Sequence, residues 1–166
     1  AARAKAVLEL EPEAARRHAE IADGERLEIR YEGPPQNLAE AVHNSLAEDL
    51  RRGSTTVGPH RDDIRILLQG QEARAYSSQG QQRTAVVSLK LAEAALVTRR
   101  TGERPVLLLD DVLSELDVAR RAALLGQVAD AGQVIITSVE AGPFPPDLIA
   151  NSMVWTVNEG RIEACG

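Results

Sequence analysis

Residues 106–117 read Val106-Leu107-Leu108-Leu109-Asp110-Asp111-Val112-Leu113-Ser114-Glu115-Leu116-Asp117, and this stretch decides the fold. Its continuous apolar run, 106–109, is typical of a parallel strand that is covered on both faces. A second run of this kind lies at 134–136, and residues 117–131 between the two runs have the pattern of a helix that ends at Gly132. A strand, a helix and a strand in this order predict a βαβ unit, and the fold class is therefore α/β.

Two carboxylates, Asp110 and Asp111, follow the first of these strands, at the sheet edge where ligands gather in α/β proteins. An apolar strand that ends in two acids has the Walker B pattern. In that pattern the first carboxylate can hold a hydrated Mg²⁺ ion and the second can orient a water that attacks a terminal phosphate. A strand that simply ends in a polar turn has the same residues, so the motif alone leaves both interpretations open.

Upstream, residues 77–84 read Ser77-Ser78-Gln79-Gly80-Gln81-Gln82-Arg83-Thr84 and precede a long apolar helix, predicted from Thr84 to about Gly102. The N-terminus of a helix favours a phosphate, Gly80 permits close approach, and the Ser78 hydroxyl can donate a hydrogen bond. An ordinary polar loop with a helix N-cap is an equal alternative.

Three further groups could contribute to a site. Ser114 and Asp117 have the spacing of a helix-capping device, a serine followed three residues later by an acid. Thr137 follows the second strand, where its hydroxyl can contact a phosphate or a water, or cap the strand end. His60 and Arg61 lie in a turn, where a phosphate contact and a turn-stabilising hydrogen bond are both open. The other histidines have no ligand partners at useful spacing, so no zinc site is expected.

The remaining elements are predicted from periodicity and from turn residues. A helical pattern is already present at Ala1, and at Pro12 a second helical stretch begins. Because the chain starts inside a helical pattern, we expect it to be a fragment of a longer protein. Further predicted elements are a strand at 26–32, a helix between Asn37 and Gly53, a hairpin at 64–75 and a terminal hairpin at 153–163.

The composition is that of a globular chain. With 166 residues, 43% of them hydrophobic, it can bury one sizeable core. No apolar run is long enough to cross a bilayer and no leader opens the sequence, so we expect a soluble, cytoplasmic protein without membrane contact. A net charge of -6 excludes a uniformly basic nucleic-acid binder but leaves room for a localised basic stripe.

The order of these motifs resembles a known superfamily. A Ser-x-Gly-Gln segment, a long helix, an apolar strand with two acids and a Ser-x-Leu-Asp turn are similar to the C-terminal part of ABC-type ATPase heads. Within that superfamily, residues 31–137 resemble the RecF family of DNA replication and repair proteins. The resemblance rests on Gly58-Pro59-His60-Arg61-Asp62-Asp63, on residues 78–84 and on residues 107–117.

The resemblance implies roles for the residues above. Asp110 would coordinate Mg²⁺, and Asp111 would polarise the attacking water. Thr137 would replace the histidine that many ABC heads have near the terminal phosphate after this strand. The signature segment, residues 78–83, would complete the ATP site of the opposite subunit, so that ATP closes two heads into a homodimer. It would do so through Ser78, Gln79, Gly80, Gln81 and Arg83, with Ser114 and Asp117 in the D-loop. Most ABC transporters have glutamate at the position of Asp111, and the shorter acid implies slow turnover.

The resemblance also implies a function and a division of the chain. Residues 1–54 would end a helical lobe and residues 55–166 would form the ATPase lobe. The whole protein would be an ATP-dependent clamp on duplex DNA near single-stranded gaps, with RecR and RecO as partners, and would help to load the RecA recombinase. Candidate DNA contacts are Arg16, Arg17, Arg51, Arg52, Arg99, Arg100 and Arg104, each of which can equally lie on a solvated face. With only 2% aromatic residues, the contact would be electrostatic, salt-dependent and independent of base sequence.

One motif of such ATPases is absent from the sequence. A phosphate loop, Walker A, needs Gly-x-x-x-x-Gly-Lys, and neither Lys5 nor Lys90 follows a glycine. We therefore expect this chain alone neither to bind ATP tightly nor to hydrolyse it. Two alternatives are an SMC-like chromosome-maintenance head, which would need heptads that residues 1–24 do not show, and a non-catalytic module for dimerisation or partner binding.

Overall fold

The computed structural model describes residues 2–33, 37–129, 131–140 and 144–165. Its helices are α1 (Ala2–Ile21), α2 (Leu38–Arg52), α3 (Ala73–Tyr76), α4 (Gln79–Thr101), α5 (Val118–Val128) and α6 (Pro146–Ala150). Its strands are β1 (Leu27–Glu32), β2 (Asp63–Leu68), β3 (Gln71–Glu72), β4 (Leu107–Asp110), β5 (Val134–Thr137), β6 (Val154–Asn158) and β7 (Arg161–Cys165). A turn of 3-10 helix, Pro59–Arg61, precedes β2.

The predicted βαβ unit is present. β4 and β5 are parallel neighbours, with Leu107 opposite Val134 and Asp110 opposite Thr137, and α5 connects them. Helix α5 ends at Val128 rather than at the predicted Gly132, which has a φ of 94°, in the left-handed region that glycine adopts without strain. The α/β fold class is confirmed.

Only one face of the β4–β5 sheet is covered by the described residues. Leu107 and Leu109 are buried against α5, in a core that also contains Leu124. Leu108, on the opposite face, is 72% exposed, and its neighbour Ile135 is 47% exposed. The expectation of strands covered on both faces is therefore wrong for this part of the chain, because an apolar run is compatible with an open apolar face as well as with a buried one.

Helix α4 lies between two hydrophobic cores. Its Val87 and Leu91 belong to the core under β4 and α5, and its Ala85 and Ala92 belong to a second core with α1 and β1. A helix that is buried on two faces needs apolar residues around much of its circumference, which explains why the sequence of α4 shows no single apolar stripe.

The second core joins α1 to a three-stranded antiparallel sheet. β1 pairs with β2 from Leu27 opposite Leu68 to Glu32 opposite Asp63, and β2 pairs with the short β3. This pairing runs across the boundary that the sequence predicts at residue 54, and the division into two lobes stays a prediction.

Three further sequence-based boundaries are wrong. Pro12 lies inside α1 rather than at the start of a second helix, because Val7 before it and Ala14 after it are buried in the same core, and this packing outweighs one lost helical hydrogen bond. The second half of the predicted hairpin is the helix α3, apart from the two residues of β3. Helix α4 begins at Gln79, not Thr84, because Ser78 caps it.

Helix α2 matches its prediction but is not packed. Asn37 caps its start, and Gly53, with a φ of 67°, ends it. None of its side chains is buried, and Leu50 is 75% exposed.

The terminal hairpin of β6 and β7 is also confirmed, with its turn at Glu159 and Gly160. In the described residues, no helix combines the length and the apolar character needed to cross a bilayer.

Candidate functional site

The carboxyl ends of β4 and β5 form one hydrogen-bonded edge, made by Asp110, Asp111 and Thr137 and here called the carboxylate edge. The Thr137 hydroxyl donates to Asp110 Oδ1 at 2.5 Å, and the Asp111 N–H donates to Thr137 Oγ1 at 3.0 Å. Parallel pairing sets this geometry, because it places Thr137 directly opposite Asp110. One hydroxyl therefore holds both the carboxylate of Asp110 and the backbone of Asp111.

Asp111 has an unusual backbone conformation, and only one of its two carboxylate oxygens has a hydrogen-bond partner among the described residues. Its φ is 47°, in the left-handed region that aspartate tolerates better than most residues with a side chain. Ser114 Oγ lies 3.1 Å from Asp111 Oδ2 and 3.1 Å from the Asp111 carbonyl oxygen, so its hydroxyl can donate to either. Asp111 Oδ1 is buried and has no hydrogen-bond partner among the described residues. That oxygen is an acceptor whose hydrogen-bonding capacity is not used within the described residues.

A cavity of about 480 Å³ adjoins this carboxylate. It is lined by residues that follow β4 and β5 and by one residue of α5, namely Asp111, Leu113, Ser114, Arg121, Ser138, Val139 and Glu140. Arg121 donates from Nη2 to the Leu113 carbonyl at 3.2 Å and to the Leu116 carbonyl at 3.1 Å. Its buried Nε has no partner within the described ranges. Sequence reasoning missed Arg121. The signal was its position four residues after Asp117, in the first turn of α5, from which a long side chain can reach back to the D-loop.

The signature segment is the first turn of α4 rather than a loop before it. Ser78 and Gln81 form a capping box: the Gln81 N–H donates to Ser78 Oγ at 3.3 Å, and the Ser78 N–H donates to Gln81 Oε1 at 2.9 Å. Ser78 and Gln79 are exposed. A Cβ atom at Gly80 would lie 3.1 Å from the Glu115 carbonyl oxygen, so the close approach that Gly80 permits is to the turn before α5 in the same chain.

Arg83 joins the signature segment to the carboxylate edge. Its Nη1 donates to the Asp111 carbonyl oxygen at 3.0 Å and to Ser114 Oγ at 3.1 Å. Ser114 is therefore not a helix cap. Asp117 caps α5 instead, accepting from the Arg120 N–H at 2.9 Å.

A buried polar group behind the signature segment was also missed. His18 is fully buried, with Nε2 2.9 Å from Glu25 Oε2, and Glu25 Oε1 accepts from Gln81 Nε2 at 2.6 Å. Burial lowers the pKa of His18, although the neighbouring Glu25 carboxylate opposes this by raising it. Across the described parts of the chain, no group of three or more His, Cys, Asp or Glu side chains could hold a metal ion.

His60 and Arg61 stabilise their own turn. His60 Nε2 lies 2.9 Å from Thr55 Oγ1, and Arg61 Nη2 donates to the Thr55 carbonyl at 2.8 Å. These contacts match the turn-stabilising alternative of the sequence analysis.

The arginine pairs proposed for DNA contact have acidic partners on the same surface. Arg16 pairs with Glu13 and Glu20, Arg51 and Arg52 pair with Glu48, Arg17 and Arg99 pair with Glu13, and Arg100 pairs with Glu9. A phosphate would have to compete with these carboxylates. DNA contact by these arginines stays a prediction.

A parallel βαβ unit with two acids at its edge, and a capped helix whose first turn is anchored to those acids, define an ABC-type ATPase head fold. The solved structures agree. The chain is 34% identical to the recombination mediator protein RecF with ATPrS, with a TM-score of 0.76 over 99% of this chain and 46% of that one. It is 14% identical to an SmcHead bound to the C-winged helix domain of ScpA, with a TM-score of 0.59 over 97% of this chain and 43% of that one, which shows the fold alone.

Curated relatives narrow the class. The chain is 43% identical over 149 residues to the DNA replication and repair protein RecF of Lachnoclostridium phytofermentans, covering 88% of this chain and 41% of the relative. It is 42% identical over 155 residues to the protein of the same name from Moorella thermoacetica, covering 92% and 42%. No family model matches. The chain belongs to the RecF family, and it spans about two fifths of the length of these relatives.

Proposed function

We propose that this chain supplies the Walker B acids and the signature segment of an ATPase in DNA replication and repair. The observation that carries the proposal is the anchoring of the signature segment to the carboxylate edge through Arg83, which links the residues for hydrolysis to those for dimerisation. Two sources of support are the names of the curated relatives and the solved RecF structures, which are described with ATP and with ATPrS.

In the proposed reaction, the chain's own residues hold and activate water. Asp111 Oδ1, which is buried and unpaired among the described residues, accepts a hydrogen bond from the attacking water, while Ser114 orients the other oxygen. Asp110, held by Thr137, is the ligand for Mg²⁺. A carboxylate oxygen is the donor that Mg²⁺ prefers, and one or two protein carboxylates are its usual complement beside substrate phosphates. When bound, Mg²⁺ would neutralise charge that develops on the phosphates.

The signature segment is proposed to face the nucleotide of a second copy. We assign the phosphate contact to its exposed residues, Ser78 and Gln79, together with Gly80 and the first backbone N–H groups of α4. Gln81 and Arg83 are held by contacts within the chain, so we assign them to the support of the segment. Ser114 and Asp117 are proposed to shape the D-loop between the two copies.

The proposed ATP site needs a phosphate loop that the printed sequence does not contain. We therefore propose that a segment outside this sequence supplies it, and that the chain alone neither binds ATP tightly nor hydrolyses it. Turnover in the complete polypeptide is proposed to be slow, because the side chain of Asp111 is one methylene shorter than the glutamate common in ABC transporters.

The proposed biological role is an ATP-bound homodimer that clamps duplex DNA near single-stranded gaps. We propose RecR and RecO as partners, loading of the RecA recombinase as the outcome, and the cytoplasm as the location. Because contact through arginines would be electrostatic and directed at the phosphate backbone, DNA binding should weaken steeply with added salt and should not depend on base sequence.

The direct test is ATP-driven dimerisation of the complete polypeptide, measured by sedimentation. Ser78→Arg, which puts a long cation on the exposed cap, should abolish dimerisation. The matched control Thr101→Arg places the same side chain at the exposed last residue of α4 and should dimerise normally. Normal dimerisation of Ser78→Arg would refute the assignment, and dimerisation without any ATP hydrolysis would favour the non-catalytic alternative.

A further inference from the structure

A line of hydrogen bonds runs from the exposed start of α4 into the core. The Ser78 N–H donates to Gln81 Oε1 at 2.9 Å, and Gln81 Nε2 donates to Glu25 Oε1 at 2.6 Å. Glu25 Oε2 lies 2.9 Å from His18 Nε2, and His18 Nδ1 lies 3.3 Å from Ser88 Oγ. The line therefore joins the signature segment to the end of α1 and returns to α4 two turns further on.

Both ends of the Gln81 amide are used within the chain. Its oxygen accepts from the cap residue and its nitrogen donates to a carboxylate, so Gln81 cannot turn toward a bound phosphate without breaking two hydrogen bonds. The short contact to Glu25 joins a neutral donor to an acid, and such bonds are stronger than those between neutral groups when the acid is ionised. Gln81 thus holds the signature segment in one conformation.

Glu25 is held as firmly as the residue it supports. Its side chain is 11% exposed and lies in the turn between α1 and β1. His18, which is fully buried, fixes its second oxygen, and Arg120 Nη2 lies 4.0 Å from that oxygen. Taking a carboxylate out of water is costly unless it is paired, so the position of Glu25 is set by these partners rather than by its own turn.

We propose that Glu25 is a positioning residue for the signature segment. It fixes the amide of Gln81, which fixes the Ser78 cap, and so pre-organises the surface that meets the nucleotide of the second copy. The last step of this inference rests on the proposed function, whereas the first two concern the chain alone.

The first experiment follows these contacts in the chain by NMR, through solvent exchange of the Gln81 side-chain amide and the Ser78 backbone N–H. Glu25→Ala should speed exchange at both positions about tenfold or more, because the acceptor that holds Gln81 is lost. The control Glu20→Ala removes an exposed acid from α1 and should leave both rates unchanged. Glu25→Asp, which is shorter by one methylene, should give the same change to a smaller degree and serves if Glu25→Ala does not fold.

A rescue variant separates hydrogen bonding from charge. In Glu25→Gln the new amide oxygen can accept from Gln81 Nε2, and the new amide nitrogen can donate to His18 Nε2, with the single ring N–H on Nδ1 donating to Ser88 Oγ. Exchange rates in Glu25→Gln should therefore match the parent within about twofold. Fast exchange in Glu25→Gln would overturn a role based on hydrogen bonding, as would slow exchange in Glu25→Ala.

The second experiment measures ATP-driven dimerisation of the complete polypeptide. Glu25→Ala should raise the dimer dissociation constant about tenfold, with Glu25→Gln and Glu20→Ala near the parent value. If Ser78→Arg leaves dimerisation intact, the proposed function fails, and the exchange rates still decide whether Glu25 positions Gln81. If Ser78→Arg abolishes dimerisation but Glu25→Ala keeps parental exchange and affinity, the positioning role alone is overturned.

Discussion

Asp111 sits in a left-handed backbone conformation, which limits the acids that can stand at this position. Aspartate and asparagine reach this region more readily than longer side chains, because their short polar groups can hydrogen-bond locally. In this chain the local partner is Ser114, at 3.1 Å from Oδ2. The backbone thus offers a structural reason for aspartate that is independent of reaction rate.

Replacing Asp111 should separate these two effects. We expect Asp111→Glu to lower the free energy of unfolding by about 1 kcal/mol, because the longer side chain is less stable in the left-handed conformation and loses the contact to Ser114. Asp111→Asn should stay near the parent value. Urea denaturation measures both. In the complete polypeptide, Asp111→Glu should hydrolyse ATP faster if the short side chain limits turnover, and an unchanged rate would argue against that explanation.

His18 gives the fold a pH dependence with a definite sign. Because burial lowers the pKa of His18 in the folded protein, the unfolded chain binds a proton more readily, and acid favours unfolding. This contribution to stability is fully present above about pH 6.5, the usual histidine value, and is lost as the pH falls below it. Carboxyl groups titrate mostly at lower pH, so the range from pH 7 to pH 5 reports on His18.

We therefore expect the free energy of unfolding to fall between pH 7 and pH 5 in the parent chain. His18→Gln should be less stable at pH 7 but should lose less stability over the same range, since it cannot take up a proton. Chemical denaturation at several pH values measures the slopes. The matched control His43→Gln changes an exposed histidine of α2 and should keep the parental slope. Equal slopes in the parent and in His18→Gln would show that His18 does not carry the effect.

At the scale of elements, the helix caps differ in what they support. Ser78 and Asp117 cap helices whose side chains are buried in the core, whereas Asn37 caps α2, which has no buried side chain. A helix that packs against a core unfolds with it, while one that does not can unfold locally at little cost to the remainder.

This difference predicts unequal effects from similar substitutions. Ser78→Ala and Asp117→Ala should each lower the free energy of global unfolding by about 1 kcal/mol, because each leaves an N–H at a helix start without its acceptor. Asn37→Ala should change global unfolding much less. Urea denaturation followed by circular dichroism measures all three, and an equal loss in Asn37→Ala would show that α2 unfolds together with the core.

The sequence predicts elements better than it predicts their contacts. Caps and turn glycines such as Asn37, Gly53 and Gly102 are local signals, and the helix ends that they mark are where they are expected. The contact of Gln81 with Glu25 spans 56 residues of sequence, and no local pattern marks it. The same holds for Pro12, whose helix survives because of packing on both sides of it.

At the scale of the whole molecule, the acids of the candidate site could be predicted because a strand that ends in two acids is a local pattern. The contacts of Arg83 and Thr137 with these acids could not be predicted, although both residues were candidates, because they reach the site from two separate elements. Arg121 was missed because it enters the site from a third element. The open sheet face has the same origin, since the sequence shows that β4 and β5 are apolar but does not show what covers them.

That open face leads to a prediction about association. In the described residues β4 and β5 pair only with each other, and Leu108 and Ile135 lie side by side on the exposed face. Exposed apolar side chains that adjoin one another favour association in water. We therefore expect the isolated chain to self-associate as its concentration rises. Leu108→Lys should weaken that association about tenfold or more, because it replaces a large apolar contact by a charge.

The control Val118→Lys changes an apolar residue of α5 that is equally exposed but lies outside the sheet. Sedimentation over a concentration series measures both variants. An equal effect of the two lysines would assign the change to net charge, and only a selective effect of Leu108→Lys supports the sheet face as the surface that associates.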